Sequence, residues 1–399
     1  MQEGRPRSVT VRLKANTDAH GPPVVGFVLS GGAARGAYEA GVLRFVLRDL
    51  AARLGRPTWP RLVSGTSVGA LNGLFAAARD LHALANLTRI WQELRIEQVY
   101  RFDPLTALRD AVKPRPGQDF GLLDPTPFHT LLREQLPEAS LRVAMRTGET
   151  WAFIVAATEI ATGFNALFVD GQLELAPQPG SRIYPGPIGA VHCRASAAIP
   201  FAFPPVQVGS RWYVDGGLRQ NTPLRPVLGS GVERALIVGV KQDREDEAIE
   251  RLAAAQPNKR PTLYFLAGKM LNALMLDPVE RDLWSAEYRN GVVDWGTSEF
   301  GPDFAQRAAG DLGLRKVDIC YLRPSSDLGR IAGATYRARP PKTTRSTRFL
   351  LDKVLAYTGD IEADLLSYLY FDREYTGTLE ALGYEDARRQ EEALARLFL

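Results

Sequence analysis

Histidine and cysteine are scarce in this chain, with four and two in 399 residues. Cys193 and Cys320 lie far apart, which argues against a disulfide framework or a cysteine metal cluster and points to a reducing, cytoplasmic setting. Long apolar runs are missing too. No stretch approaches the roughly 18 apolar residues of a membrane-spanning helix. Residues 1–21 carry Arg5, Arg7, Arg12 and Lys14 but no apolar core of a secretory signal, so they read as a polar arm. Charge of one sign is also lacking, since 49 Lys and Arg against 45 Asp and Glu leave a net charge of +4. With no long basic block, nucleic acid is not an expected partner, whereas a mild positive excess is compatible with peripheral contact with anionic membranes. Hydrophobic residues at 45% and charged residues at 24% are ordinary globular values, and at this length one large α/β domain with an extension, or two domains, is expected.

Strand-like and helix-like stretches alternate along the chain. Residues 24–29 form an apolar run of strand length that ends in Ser30-Gly31-Gly32, and within residues 36–54 Val42, Phe45, Val46 and Leu50 recur at helical spacing. Residues 61–63 read as a short strand, and 68–78, small and apolar, as a helix pressed closely on a sheet. Residues 82–94 read as a further helix, and 102–127 as a loop followed by a helix capped by Asp124 or Thr126. Strands are expected at 151–158, 166–169, 206–208, 211–214, 235–240 and 317–322. Such alternation predicts a three-layer α/β/α domain around a mainly parallel sheet, plus a helical C-terminal extension. The boundaries expected are a polar arm at 1–21, a catalytic domain at 22–241, a continuation with helices and a late strand at 242–335, and a basic linker and helical tail at 336–399. The acidic run 243–247 reads as a solvated loop, and the apolar residues of 262–276 as a core helix or a membrane-docking one.

Three glycine-rich turns carry the chemistry. Gly65-Thr66-Ser67-Val68-Gly69 puts a serine between glycines on a strand-to-helix turn, which displays a nucleophilic hydroxyl. Gly31-Gly32-Ala33-Ala34-Arg35-Gly36 follows a strand and opens a helix, so its backbone N–H groups can converge on an oxyanion, with Arg35 adding charge or bracing the loop. A nucleotide phosphate loop is the competing reading, with Asp49 as a ribose acid, but Asp49 falls inside a helical pattern and no Lys-Ser/Thr follows the glycines. Asp215-Gly216-Gly217 ends the strand at 211–214, and Asn221 and Pro223 can organise the turn after it. The base for Ser67 is open at this point: no histidine follows Asp215, and a triad with His192 and Glu159 or Asp170 is the alternative to an aspartate acting directly.

In order and spacing the three turns, together with Arg194-Ala195-Ser196-Ala197-Ala198-Ile199-Pro200, resemble the signatures of the patatin-like phospholipase family over roughly residues 24–240. The resemblance implies a serine lipid acyl hydrolase with a dyad of Ser67 as nucleophile and Asp215 as proton acceptor. It further implies an oxyanion hole of the N–H groups of Gly31, Gly32 and Ala33, with Arg35, Gly36, Gly65, Gly69, Gly216 and Gly217 in support. No cofactor and no metal are implied, and the substrate would be a fatty acyl ester of a phospholipid or related glycerolipid, cleaved through an acyl-enzyme. A catalytically silent lipid-binding or membrane-adaptor relative would share the same signatures. One departure is Ala33, where the family usually has a third glycine; a left-handed backbone there would strain alanine.

Overall fold

The computed structural model describes residues 23–106, 109, 121–171, 173, 175, 179–242, 278–358 and 363–399. Nine strands form one sheet: β1 (Val25–Leu29), β2 (Leu62–Thr66), β3 (Ala152–Glu159), β4 (Asn165–Gly171), β5 (Ser181–Pro185), β6 (Val206–Val208), β7 (Arg211–Asp215), β8 (Arg234–Val238) and β9 (Asp318–Leu322). Their order is β5-β4-β3-β2-β1-β8-β9, with β7 paired to β3 and β6 to β7. The run from β3 through β2, β1 and β8 to β9 is parallel, β4 and β7 are antiparallel to β3, and β5 is parallel to β4. The sheet is therefore mixed at one end and parallel at its centre, the mainly parallel α/β/α arrangement expected.

Side chains alternate across the sheet and so divide the core in two. Phe27, Leu29, Val63, Phe153, Val155, Leu236 and Val238 face one apolar cluster, while Val28, Leu62, Ile154, Ala156, Ala235 and Ile237 face the other. Burial on both faces explains why these strands read as continuous apolar runs. The first cluster lies under α1 (Ala37–Arg44), which continues through a π-helical turn (Phe45–Leu50) and a last turn (Ala51–Leu54), and under α2 (Val68–Ala78) and α3 (Leu81–Glu93). After α4 (Thr126–Gln135), α5 (Glu138–Arg146), α6 (Ala190–Ser196) and α7 (Leu224–Leu228), the second cluster is covered in part by α8 (Pro278–Phe300), from which Ala286 enters it. Residues 243–247 and 262–276 lie outside the described residues.

Beyond β9 the chain packs on the first cluster, through Leu328, Tyr336, Leu351 and Leu379 among others. Among its helices, α9 (Arg373–Arg389) crosses α1 so closely that a Cβ on Gly41 would meet the carbonyl of Glu380, and one on Gly383 would meet that of Tyr38. Around this crossing Arg44 pairs with buried Glu380 at 2.6 Å and the Tyr38 hydroxyl donates to Asp386 at 3.3 Å. Paired glycines let two helix backbones touch, so the C-terminal helices are built against the helix that follows the first glycine-rich turn.

Candidate active site

Sheet register brings the three turns together. Leu29 lies beside Gly65, Thr66 beside Ala156, and Ala157 beside Asp215, so the ends of β1, β2 and β7 converge at one edge of the sheet. The chain order reverses at β1, between β2 on one side and β8 on the other, and the carboxyl ends of strands at such a switch are the usual place for a site in an open α/β sheet.

Ser67 has φ 54° and ψ −124°, a left-handed conformation that a non-glycine residue holds only at a cost of about 1–3 kcal/mol. Its neighbours over-determine it. The Ser67 N–H donates to Ser196 Oγ at 2.7 Å, and that hydroxyl donates in turn to the Ala156 carbonyl at 2.5 Å. A Cβ on Gly65 would meet the Gly69 carbonyl, and one on Gly69 would meet that of Leu29, so both glycines are there for close packing of the turn on the sheet. Gly36 likewise leaves room for Val68.

Asp215 is fully buried. Its N–H donates to the Ala198 carbonyl at 2.9 Å, and its Oδ1 accepts the Gly217 N–H at 2.7 Å. Gly216 has its Cα against the Ala156 carbonyl, where a side chain would collide. Burial pushes the Asp215 carboxyl up to about 7, against the pull of the Gly217 N–H and the Ser67 hydroxyl, which both favour the carboxylate. Oδ2 makes no hydrogen bond of normal geometry. The serine hydroxyl thus faces the carboxyl without a closed bond, an arrangement common for catalytic pairs before substrate binds.

At the first turn, Ala33 has φ 51°. The left-handed backbone that strains alanine is present, at about 1–2 kcal/mol. The Gly31 N–H is already given to the Asn221 carbonyl at 3.0 Å, and Asn221 Nδ2 returns a bond to the Gly31 carbonyl at 3.1 Å. Of the three N–H groups named for an oxyanion, Gly31's is thereby committed elsewhere. Thr222 and Ser30 share a hydroxyl bond at 2.7 Å, and the Thr66 hydroxyl donates to the Gln220 carbonyl at 2.8 Å, so residues 220–222 stitch the first two turns to the third.

Arg35 braces the loop and does not face the serine. Buried to 3% exposure, it gives Nε to Ser367 Oγ at 2.8 Å and Nη2 to Asp364 at 3.0 Å, and its guanidinium lies 4.3 Å from the Tyr368 ring centroid. Arg35→Ala removes a buried guanidinium together with its bonds to Asp364 and Ser367, so we expect a loss of roughly 3–5 kcal/mol in urea unfolding. A loss under about 1 kcal/mol would mean that this tie is dispensable.

His192 and its companion acids are engaged elsewhere. His192 Nδ1 accepts the Gly189 N–H at 3.1 Å and the ring packs edge-on to Phe168, while burial lowers its pKa. Glu159 is held by Tyr184 and Arg211, and Asp170 by Arg142 and the Ile188 N–H. Asp49 pairs with its neighbour Arg48 at 2.9 Å, not with a loop that could hold a nucleotide.

Ser67 and Ala33 lie in the wall of an apolar cavity whose other lining includes Leu71, Phe75, Leu87, Trp91, Leu132 and Phe203. One polar lining residue, Asn72, went unnoticed in the sequence, as did the buried Glu39 that it contacts. Asn72 Nδ2 bridges the Gly36 carbonyl and Glu39 Oε2, each at 2.9 Å, and its Oδ1 accepts Trp91 Nε1–H at 3.0 Å. Glu39 is fully buried, and burial raises its pKa well above the usual carboxylate range. The one signal for this network was a lone asparagine in an otherwise small and apolar helix. Ser196 was visible only as part of a motif, with no hint of its partner. Among the described residues no group of three or more His, Cys, Asp or Glu side chains could hold a metal, and no helix is long and apolar enough to cross a membrane.

The site is thus a strained serine turn at the carboxyl edge of a mostly parallel α/β/α sheet, with an apolar cavity beside it. The patatin-like phospholipase family profile matches residues 27–228, half of the chain, and the protein belongs to that family. It is a lipid acyl hydrolase. Similar solved structures include VipD from Legionella pneumophila, at 13% identity and a TM-score of 0.35, covering 98% of this chain and 72% of that one. Human GIVD cytosolic phospholipase A2, solved with methyl gamma-linolenyl fluorophosphonate, is 12% identical with a TM-score of 0.39, covering 94% of this chain and 59% of that one. No curated protein matches the sequence.

Proposed function

We propose that this enzyme cleaves fatty acyl esters of phospholipids or related glycerolipids through an acyl-enzyme on a Ser67–Asp215 dyad. The observation that carries the reading is that Ser67, in the wall of an apolar cavity, faces a buried carboxyl whose second oxygen has no other partner. A cavity lined by aliphatic and aromatic side chains suits an acyl chain and leaves the polar part of the lipid outside.

In the first half-reaction the Asp215 carboxylate takes the Ser67 proton as Oγ attacks the ester carbonyl. The N–H groups of Gly32 and Ala33, at the opening of a helix, receive the oxyanion. Collapse breaks the bond to the alcohol oxygen, which leaves with the proton from Asp215. In the second, water attacks the acyl-enzyme, Asp215 accepts its proton, and collapse frees the fatty acid and returns the proton to Ser67 Oγ. An aspartate near its ordinary pKa of about 3.9 is a poor base; one lifted to about 7 by burial is matched to neutral pH.

Incubated with phospholipid vesicles, the wild-type chain is expected to release free fatty acid, read by mass spectrometry, and Ser67→Ala to release none above the uncatalysed background. Equal release by both would overturn the serine mechanism. Binding of vesicles with no release by wild type would favour the silent lipid-binding relative.

A further inference from the structure

The loop from α6 to β6 runs along the cavity, with Ala197, Ile199 and Phe203 in its lining. Phe201, between the last two, turns the other way. At 81% it is the most exposed of the large apolar side chains among the described residues. Its backbone is left-handed, with φ 67°, in a region where a bulky side chain is a genuine outlier. Such strain persists only where the surroundings impose it, and here they do. The Leu122 N–H donates to the Phe201 carbonyl and the Leu123 N–H to that of Ala202, both at 2.9 Å, while the Phe203 N–H closes on the Ile199 carbonyl at 2.8 Å. Glycine would meet this backbone without cost. Phenylalanine instead adds strain and leaves its ring in water, so the fold gains nothing from it.

Other apolar tips stand nearby in the chain pairing. Leu122 is 39% exposed, and the backbone of Asp124, two residues on, pairs with that of the exposed Arg101, four residues before Leu105 at 78% exposure. A few isolated apolar tips with an exposed cation are far short of the area a stable protein interface needs. They suit a lipid surface, where an aromatic ring settles at the boundary between headgroups and acyl chains.

We propose that Phe201, supported by Leu122, inserts into the lipid surface beside the cavity and so lets an acyl chain pass from lipid to Ser67 without crossing water. This rests on the hydrolase reading above and adds where the enzyme meets its substrate.

The test uses the full chain with Phe201→Gly, which relieves the backbone and removes the ring. It is measured by cosedimentation with phosphatidylcholine–phosphatidylglycerol vesicles, by hydrolysis of those vesicles, and by hydrolysis of a dissolved short-chain nitrophenyl ester. Vesicle binding and vesicle hydrolysis are expected to fall about ten-fold, a fraction of what full burial of a phenylalanine is worth, while turnover of the dissolved ester holds and thermal stability holds or rises. Phe201→Asn, equally at home in a left-handed backbone, should do the same, and Phe201→Trp should keep vesicle binding. Unchanged vesicle binding in Phe201→Gly and Phe201→Asn would overturn the proposal, as would an equal loss on the dissolved ester. If wild type turned over neither substrate, the hydrolase reading would fall, and vesicle binding would still decide the role of Phe201.

Discussion

Ser67→Ala and Asp215→Asn are each expected to lower ester hydrolysis by about 10⁴-fold or more, with the double variant no worse than either single one. Residues that act as one unit behave so, because removing either member removes the whole step. Ser67→Ala keeps the turn, since alanine bears the same left-handed strain and the N–H bond to Ser196 remains. Asp215→Asn keeps the shape and the bond from Gly217, and loses only the capacity to take a proton. His192→Ala, by contrast, should leave the rate within a few-fold, because its ring is spent on Gly189 and Phe168. Initial rates on a nitrophenyl ester, with circular dichroism to confirm folding, measure all four. A substantial residual rate in Asp215→Asn, or a collapse in His192→Ala, would replace the dyad by a histidine mechanism.

On the proposed dyad, the buried carboxyl of Asp215 sets the pH dependence of both rate and stability. Activity needs the carboxylate, so kcat/KM should rise about ten-fold per pH unit below neutrality and level off above roughly pH 8, for a group held up to about 7. Stability runs the other way. The unfolded chain gives up this proton near pH 3.9 and the folded chain holds it to about 7, so the stability from the neutral form is complete below about pH 4 and lost as pH rises to 7. Asp215→Asn cannot lose it. Its unfolding free energy, from urea titration, should match that of wild type near pH 4 and exceed it near pH 8, by up to about 4 kcal/mol for a fully buried group. An asparagine variant no more stable than wild type at both pH values would mean that Asp215 is ionised without cost, and that its basicity is ordinary.

Much of the centre of the molecule was legible because it is local. Glycine on both sides of Ser67 announces a turn that no side chain could enter, and the apolar runs that became β1, β2, β3 and β8 are short and buried on both faces. Strain at Ala33 could be anticipated from its place in a glycine series, and φ 51° bears that out. What stayed hidden depends on partners far away in the chain. An apolar run does not name the strand it will lie beside, so the pairing of β7 with β3 was not foreseen. β5, half-exposed and carrying Arg182 and Pro185, lacks an apolar run altogether. The commitment of the Gly31 N–H to Asn221 is equally invisible, and so is the seat of Arg35 on Asp364 and Ser367, more than 300 residues on. That last tie holds the loop that opens α1 from behind, through the chain near Asp364 and Ser367.

Covalent labelling bears most directly on the dyad. A fluorophosphonate reacts with a serine only when a base takes its proton, so intact-mass analysis and peptide mapping read nucleophile and base together. One adduct per chain, on Ser67, is expected at about pH 8, absent in Ser67→Ala and at least about 100-fold slower in Asp215→Asn. An adduct on another residue, or labelling of Asp215→Asn at the wild-type rate, would contradict the account.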